Sequence, residues 1–295
     1  MVTRTARAAA AADEGGPLAL GKEDFLPRRC LAVIMPVFNE VATVVPVLRK
    51  VLDQACVKEV LVVDDGSTDG TGERIRKWAR HHPRVRLLSR ERNRGKGAAI
   101  RWALEVVTAP VTIIQDADLE YDPGEYEKLL EPIRREGVSV VYGSRFLDRR
   151  RALLPKWQLW CNRSLTTVAN WITRLRLTDE ATCFKVFRTE LLRQLRLEED
   201  GFGFCPEVTA KLARRGIRIA EVPISYRARS RAEGKKLRWR DGVDALRCLL
   251  SYTFPRAAAR EVPVAASARL AKTTALTARR VATGQAVSRA MPRAG

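Results

Sequence analysis

Histidine is scarce in this sequence, and its scarcity narrows the chemistry. The chain has two histidines, His81 and His82, and they precede Pro83 in a segment that predicts a surface turn. A Ser-His-Asp or Cys-His catalyst needs a histidine beside its nucleophile, so the sequence argues against both classes. Carboxylates, basic groups and metal ions are left to carry any chemistry.

Paired cysteines are also absent. The six cysteines are scattered along the chain, and no two of them form a C-x-x-C pair. This spacing argues against a disulfide framework and against a zinc site. We expect reduced thiols, as in a cytoplasmic protein.

Long apolar runs are missing as well. No stretch of about 18 consecutive apolar residues occurs, so we expect no transmembrane helix. Residues 1–29 lack the apolar segment of a secretory signal and predict a disordered leader. Residues 255–295 predict a basic tail rich in Ala and Arg, either disordered or weakly helical. We therefore expect a cytoplasmic protein, with peripheral docking at the inner face of the membrane as a further hypothesis.

Basic residues, by contrast, are abundant. The formal net charge is +20 at pH 7, and residues 256–295 supply +7 of it through eight basic residues and one acidic residue. The remaining charge lies mostly on the body of the protein. Such a surface attracts phosphates on nucleotides, nucleic acids or anionic membranes. Nucleic-acid binding is thus an alternative of another class, but it leaves the acidic motifs described below unexplained.

Apolar strands alternate with amphipathic helices from residue 31 onward. The predicted strands are 31–37, 59–65, 84–89, 111–118 and 138–144. The predicted helices are 40–53, one that begins at about residue 69, 96–107 and 124–135. This alternation predicts an α/β fold with a mostly parallel sheet flanked by helices, followed by a less regular second half. Ligands of such sheets collect outside the carboxyl ends of the strands. The motifs "NE", "DDGSTD" and "QDAD" all fall at those ends.

The motif "QDAD" ends the fourth predicted strand. Side chains alternate across a strand, so Asp116 and Asp118 are expected to project to the same side, with the small Ala117 between them. Two adjacent carboxylates repel each other unless a cation lies between or beside them. Mg²⁺ or Mn²⁺ takes oxygen ligands and is commonly held by one or two carboxylates together with substrate phosphates. We therefore expect a divalent metal at Asp116 and Asp118.

The motif "VVDDGSTDGT" follows the second predicted strand. Asp64 and Asp65 end that strand, Gly66 allows a sharp turn, and the following Ser, Thr or Asp can cap the next helix. A turn alone needs one aspartate, so the second indicates hydrogen bonding to a ligand such as the base or ribose of a nucleotide.

The motif "RNRGKGAAI" resembles a phosphate loop only superficially, because G-x-x-x-x-G-K-[ST] is absent. Two interpretations stay open for Lys96. It either contacts ligand phosphates directly or simply follows glycines that allow close packing at the start of a helix.

A helical stretch over 156–176 carries Trp157, Trp160, Ser164, Val168, Trp171 and Leu175 at spacings of three and four, with basic residues beside them. One interpretation is that this stripe packs on the core. The other is a helix lying in a membrane interface, with tryptophan at the level of the headgroups.

Taken together, "MPVFNE", "VVDDGSTDGT", "NRGKGAAI", "QDADLEYDP" and "YGSRF" closely resemble glycosyltransferase family 2, whose members adopt the GT-A nucleotide-sugar fold. The resemblance covers residues 31–250 in the order of the family's motifs. "TDEATCFKVFR", "GFCPEVTAKLARRG" and "EVPISYRARSRAEGKK" are most similar to the polyprenyl-phosphate sugar transferases, the group of dolichyl-phosphate mannose synthase. The resemblance implies a GT-A domain over 30–254, with a nucleotide-sugar half (30–145) and an acceptor half (146–254).

The resemblance also implies site residues. Those implied to bind the nucleotide sugar are Pro36, Phe38, Glu40, Val63, Asp65, Lys96, Asp116 and Ala117. Those implied to act in catalysis are Asp118, Arg145, Arg229 and Lys235. Asp116 and Asp118 would hold Mg²⁺ or Mn²⁺. The dolichyl enzymes read Gly-x-Ser-Lys where this chain has "AEGKK", which leaves Lys235 and Lys236 as alternatives and the sugar open.

The expected reaction is inverting transfer of a hexose from UDP- or GDP-hexose to a polyprenyl phosphate or another anionic acceptor. A phosphate monoester is already ionised near neutral pH, since its second pKa is about 6, so it needs no general base. The alternative within the family is a hydroxyl acceptor, which requires a base. Glu207 is the candidate for that base.

Overall fold

The computed structural model of this protein describes residues 26–148, 152–153, 156–229 and 239–254. The predicted tail over 255–295, the predicted leader up to residue 25 and the predicted site residue Lys235 lie outside the described residues. The alternative lysine, Lys236, lies outside them too.

Strands and helices alternate through the first part of the chain, as the apolar pattern predicts. They are β1 (Leu31–Val37), α1 (Val44–Leu52), β2 (Val57–Asp65), α2 (Thr71–Ala79), β3 (Val85–Arg90), α3 (Lys96–Val106), β4 (Val111–Ile114), a 3-10 turn (Pro123–Glu125), α4 (Tyr126–Arg135) and β5 (Val140–Ser144). β1 is apolar throughout and β2 is apolar over residues 60–63, because both faces of a parallel sheet are covered, and nearly all residues of the two strands are buried.

The second part of the described chain mixes short strands with helices. Its elements are β6 (Ala152–Leu153), α5 (Lys156–Thr173), β7 (Lys185–Arg188), α6 (Thr189–Gln194), α7 (Phe204–Arg214), β8 (Ile219–Pro223), β9 (Tyr226–Arg227) and α8 (Trp239–Thr253). β6 and β9 pair with each other in a small parallel sheet of their own.

The main sheet of the described residues has seven strands in the order β3-β2-β1-β4-β7-β5-β8. Its pairs are parallel, except that β7 runs antiparallel to both of its neighbours, β4 and β5. The predicted α/β fold with a mostly parallel sheet is confirmed. Because β1, β2 and β4 are parallel, the segments that follow Val37, Asp65 and Ile114 all leave the sheet at one edge.

The fourth strand is shorter than predicted, and this changes the explanation of the paired aspartates. β4 ends at Ile114, and Gln115 is anchored by its backbone N–H, which donates to the Ile34 carbonyl at 3.0 Å. The chain then turns, and Leu119 takes a positive φ of 62°. Alternation along a strand therefore does not orient Asp116 and Asp118. The loop after the strand does.

Candidate active site

A cavity of about 260 Å³ opens at the carboxyl edge of β1, β2 and β4. Its lining comes from loops that follow these strands, from the start of α3, and from two segments of the second half. The lining residues are Pro36, Val37, Phe38, Glu40, Asp65, Asn93, Gly95, Lys96, Ala99, Asp116, Ala117, Asp118, Glu120, Phe202 and Arg229. The structure thus brings together most of the predicted site residues from five separate sequence motifs.

Asp116 forms an ion pair with Lys96, the first residue of α3. The ammonium nitrogen of Lys96 lies 2.6 Å from Oδ1 of Asp116 and 3.0 Å from the sulfur of Cys183. Burial acts to lower the pKa of Lys96, but Asp116 and neighbouring groups outweigh it and raise that pKa well above its ordinary value. Burial likewise acts to raise the pKa of Asp116, and the charge of Lys96 outweighs it, so that pKa is lowered. Both groups are therefore charged at neutral pH.

Arg229 joins the second aspartate to the loop after β1. Its guanidinium donates to both carboxylate oxygens of Glu40 at 3.1 Å, and it lies 3.3 Å from Oδ2 of Asp118. Its backbone N–H donates to Oε1 of Glu120 at 2.8 Å, which fixes the chain at this point. A planar guanidinium forked onto carboxylates is held in a defined orientation. The site therefore presents the carboxylates of Asp116 and Asp118, each with a cation beside it, to one cavity.

Asp65 borders the cavity, but its oxygens are bound by a neighbouring loop. Its carboxylate accepts the backbone N–H of Gly95 at 2.7 Å and that of Arg94 at 3.1 Å, and Arg90 lies 3.4 Å from Oδ1. Asp65 thereby holds the "RNRGK" loop against the end of β2. This loop position delivers Lys96 to the cavity.

The first turn of α3 is closed by backbone from the second half of the chain. The N–H groups of Gly97 and Ala98 donate to the carbonyls of Gly201 and Asp200, at 3.3 and 3.0 Å. A Cβ at Gly97 would overlap the carbonyl oxygen of Glu199, so glycine is required for this close approach. A helix start can bind phosphate through free N–H groups, but these two amides are already satisfied. Lys96 therefore approaches the cavity through its side chain.

Comparison with known proteins identifies the family of this chain. Residues 32–196 match the sequence profile of the family described as "Glycosyl transferase family 2". The chain belongs to glycosyltransferase family 2. Glycosyltransferase AglJ of Haloferax volcanii is 32% identical over 197 residues, which span 66% of this chain and 62% of that protein. Undecaprenyl-phosphate mannosyltransferase of Micrococcus luteus is 32% identical over 210 residues, which span 68% of this chain and 85% of that protein.

Solved structures agree on the fold. Glucosyl-3-phosphoglycerate synthase of Mycobacterium tuberculosis, in complex with Mn²⁺, UDP and glucosyl-3-phosphoglycerate, superposes with a TM-score of 0.58 at 22% identity. The match covers 78% of this chain and 82% of that one. The GT-A fold expected of a family 2 glycosyltransferase is confirmed.

Arg145 does not face the cavity of this family 2 protein, contrary to the expectation from "GSR". It is buried, and its Nε and Nη2 donate to the two oxygens of Asp179 at 2.7 Å each. Its guanidinium also lies 5.0 Å from the centre of the Tyr226 ring. The pKa of Arg145 stays raised because Asp179 outweighs the opposing effect of burial. The geometry assigns Arg145 a structural ion pair instead of a contact with the transferred sugar.

Glu207 does not stand where a general base is needed. It is fully buried in the first turn of α7, and it is not among the residues that line the cavity. Its two oxygens accept the backbone N–H groups of Glu198 and Glu199 at 2.6 and 2.9 Å, and Lys211 lies 2.7 Å away. The carboxylate therefore organises the chain before α7, and the geometry gives no support to the hydroxyl-acceptor alternative.

Val63 is a third predicted site residue that the structure keeps away from the cavity lining. Its side chain is fully buried in β2, and its backbone lies between β1 and β3, opposite Pro36 and Leu88. Pro36 and Phe38, by contrast, do line the cavity. The motif therefore identifies β2 as a strand that leads to the cavity. Of the two site residues predicted on β2, Asp65 lines the cavity and Val63 does not.

Six lining residues were not among the predicted site residues: Val37, Asn93, Gly95, Ala99, Glu120 and Phe202. Glu120 anchors the segment around Arg229 and also accepts a hydrogen bond from the Tyr226 hydroxyl at 2.7 Å. It lies in "QDADLE", two residues after Asp118, and that position alone predicts no role for it. Phe202 and Asn93 carry no signal that sequence spacing reveals, because their positions depend on the packing of loops.

The oxygen donors of the site fit a hard divalent cation. Within the described ranges, no group of three or more His, Cys, Asp and Glu side chains is arranged to hold a metal ion. Mg²⁺ and Mn²⁺ do not require such a cage when one or two carboxylates act together with substrate phosphates and water. Asp116 and Asp118 supply this smaller donor set on the cavity wall.

Among the described helices, none is both long and apolar enough to cross a membrane.

Proposed function

We propose that this glycosyltransferase is an inverting, metal-dependent enzyme that moves a hexose from UDP- or GDP-hexose to polyprenyl phosphate. One observation carries the proposal: Asp116, Asp118, Lys96 and Arg229 converge on one cavity at the carboxyl edge of the sheet. Paired carboxylates with paired cations suit a metal-bound diphosphate and a second anion.

Asp116 and Asp118 would hold Mg²⁺ or Mn²⁺ against the diphosphate of the donor. When bound, the metal would offset the negative charge that builds on the departing nucleoside diphosphate. The mycobacterial neighbour, crystallised with Mn²⁺ and UDP, supports this use of the fold. Lys96, 2.6 Å from Asp116, adds a fixed positive charge on the same side.

The state of the carboxylates favours an acceptor that needs no base. The lining carboxylates of the described cavity are Glu40, Asp65, Asp116, Asp118 and Glu120, and each is bound to a cation or a hydrogen-bond donor. A hydroxyl acceptor would require one of them to take up a proton. A phosphate monoester arrives ionised, so its oxygen can attack the anomeric carbon directly through an oxocarbenium-like transition state.

Arg229 is suited to meet the incoming phosphate. It stands at the cavity wall, held by Glu40 and by the Glu120 contact to its backbone. A guanidinium binds phosphate oxygens in a bidentate fashion as readily as it binds carboxylate. We assign Lys235, six positions further along, a supporting role at the same phosphate, on the basis of the family resemblance.

The relatives support a lipid-linked acceptor. The Micrococcus luteus protein is named for transfer of mannose to undecaprenyl phosphate, and a Mycolicibacterium smegmatis relative is named polyprenol monophosphomannose synthase. A Rhizobium johnstonii relative is named for galacturonate on a dodecaprenyl phosphate. The sugar therefore differs among relatives that share this class of acceptor.

A transfer assay tests the proposal. The purified protein is incubated with Mn²⁺, undecaprenyl phosphate and each of a series of radiolabelled UDP- and GDP-hexoses, and label is counted in the organic phase. We expect one donor to label the lipid, and we expect Asp118→Asn to abolish that labelling. Asp122→Asn is the matched control, because Asp122 lies in the same segment but outside the cavity lining and accepts a hydrogen bond from Gly124.

Two results would contradict the proposal. The first is an absence of lipid labelling with every donor, accompanied by transfer to a soluble hydroxyl acceptor. The second is full labelling by Asp118→Asn in the presence of chelator.

A further inference from the structure

Two tryptophans of α5, Trp160 and Trp171, face solvent. Trp160 is 72% exposed and Trp171 is 82% exposed. They are eleven residues apart, which is close to three helical turns, so they lie on the same side of the helix. Ala169 and Ile172, on the opposite side, are buried against α8. The interpretation that this stripe packs on the core is therefore wrong for these two tryptophans.

A second apolar stripe runs along the neighbouring helix α8. Val243, Leu246, Leu250 and Phe254 are between 38% and 65% exposed. Their spacings of three, four and four place them on one side of the helix. Ala245, Cys248 and Leu249 form the buried side. α8 is thus apolar on two opposite sides, and only one of them is used by the fold.

Rows of exposed apolar side chains on two packed helices differ from the scattered apolar residues of an ordinary surface. Single exposed leucines need no explanation, whereas contiguous exposed apolar groups mark an interaction surface. Arg163, Arg174 and Arg247 are exposed on or next to the same helices. Tryptophan combined with arginine is typical of helices that lie in the headgroup region of a bilayer.

The α8 helix adjoins the loop that borders the candidate active site. The Tyr252 hydroxyl donates to Oε1 of Glu199 at 3.1 Å, and a Cβ at Gly203 would lie 2.9 Å from the sulfur of Cys248. The same loop carries Phe202, which lines the cavity and is about half exposed. Contacts therefore run without a break from α8 to the cavity wall.

We propose that the solvent-facing apolar stripes of α5 and α8 dock this protein onto a bilayer that contains anionic lipid. The net charge of +20 and the arginines beside the stripes complement such a surface. The tryptophans and aliphatic side chains supply the apolar contact. This inference rests on the proposed function in one respect: a polyprenyl phosphate stays in the bilayer, so an enzyme that uses it must reach the lipid headgroups.

Vesicle flotation tests the docking. Full-length protein is mixed with vesicles of phosphatidylcholine, with or without phosphatidylglycerol, and none of the vesicles contains a polyprenyl phosphate. We expect wild-type protein to float with the anionic vesicles. We expect the combined variant Trp160→Ser, Trp171→Ser, Leu250→Ser and Phe254→Ser to lose affinity by about tenfold or more, because four large apolar contacts are removed.

A conservative variant is the matched control. Trp160→Phe with Trp171→Phe and Leu250→Met keeps the stripes apolar, so flotation should persist. Thermal unfolding and transfer to a short, water-soluble prenyl phosphate should be unchanged in the serine variant, because the four side chains are exposed and outside the cavity. These measurements separate a loss of docking from a loss of folding.

The outcomes distinguish this inference from the proposed function. Asp118→Asn should float like the wild type even though it cannot transfer sugar. If flotation depended on the stripes but no polyprenyl phosphate accepted sugar, the proposed function would be wrong and the docking proposal would stand. Flotation of the serine variant at the wild-type level would overturn the docking. A change from dimer to monomer in that variant, with flotation unaltered, would overturn it too and make the stripes an interface between copies.

Discussion

The ammonium group of Lys96 and the carboxylate of Asp116 form a 2.6 Å ion pair on the wall of the candidate active site. The two residues come from separate strand-to-helix junctions, and the loop held by Asp65 brings them together. The charge of Lys96 thus keeps Asp116, the first candidate metal ligand, in its ionised form before any ligand binds.

Removal of the Lys96 charge should impair turnover more than stability. We expect Lys96→Met to lower kcat/KM for the donor by about a hundredfold, the scale for removing one group that stabilises developing charge. Lys96→Arg keeps the charge and should lose less. Steady-state transfer kinetics at several donor concentrations measure both. An unchanged kcat/KM in Lys96→Met would restrict this lysine to packing at the start of α3.

Loss of the second aspartate should alter the demand for metal. We expect chelator to stop transfer by the wild type and Mn²⁺ to restore it. Asp118→Asn should bind Mn²⁺ more weakly in the presence of donor, because one anionic oxygen ligand is lost. Mn²⁺ titrations in the presence of donor check this. Equal titration curves for the variant and the wild type would exclude Asp118 as a ligand.

The buried pair of Arg145 and Asp179 should govern stability. Arg145→Met leaves the Asp179 carboxylate in the interior without its cation, which typically costs about 3–5 kcal/mol in the free energy of unfolding. The double variant with Asp179→Leu removes both charges and should recover much of that loss. Urea denaturation of the two variants decides the question. If Arg145→Met kept its stability but lost transfer, a role at the substrate would be restored to this arginine.

Replacement of Glu207 should lower the stability of the fold and leave the transfer rate nearly unchanged. Glu207→Gln keeps one acceptor oxygen where the carboxylate has two, both bound to backbone N–H groups. We expect a loss of about 1–3 kcal/mol in the free energy of unfolding, the cost of a buried donor without a partner. The transfer rate below the melting temperature should stay within about twofold of the wild type, since no proton is taken up by this group. A large fall in rate without a fall in stability would revive the hydroxyl acceptor.

The buried carboxyl of Glu180 should make stability depend on pH. Burial raises its pKa above the ordinary value of 4.5, and the charge of Lys185 only partly opposes this. The folded state therefore holds the proton more tightly than the unfolded state does. The contribution of this group is fully present below the unfolded pKa and is lost as pH rises through the folded pKa. Relative to the wild type, Glu180→Gln should become more stable as pH rises from about 4 towards 7, as measured by denaturant titration. A constant difference across that range would contradict the assignment.

Local sequence pattern was sufficient to predict the parallel half of the fold. β1 was predicted at the bounds that the structure has, because "LAVIMPV" is apolar throughout and is followed by a helical period. β7 was not predicted. It is four residues long and pairs with β4 and β5, which lie far from it in sequence, so no local period marks it.

In the candidate site too, some residues could be predicted from the sequence and some contacts could not. Asp116, Asp118 and Asp65 were predicted because strand ends in a parallel sheet meet at one edge. The partners of Arg145 and Glu207 could not be predicted, because Asp179 lies 34 residues from Arg145 and the chain before α7 folds back onto Glu207. A motif shows that a charged residue belongs in a family position. It does not reveal whether another charge in the same chain has already bound it.

The closure of the first turn of α3 by the carbonyls of Asp200 and Gly201 has a consequence for how this protein unfolds. The segment that delivers Lys96 and the segment that carries Phe202 share two backbone hydrogen bonds, so neither can swing outward without exposing unbonded amides. Hydrogen exchange at Gly97 and Ala98 should therefore report the opening of both walls of the cavity as one cooperative event.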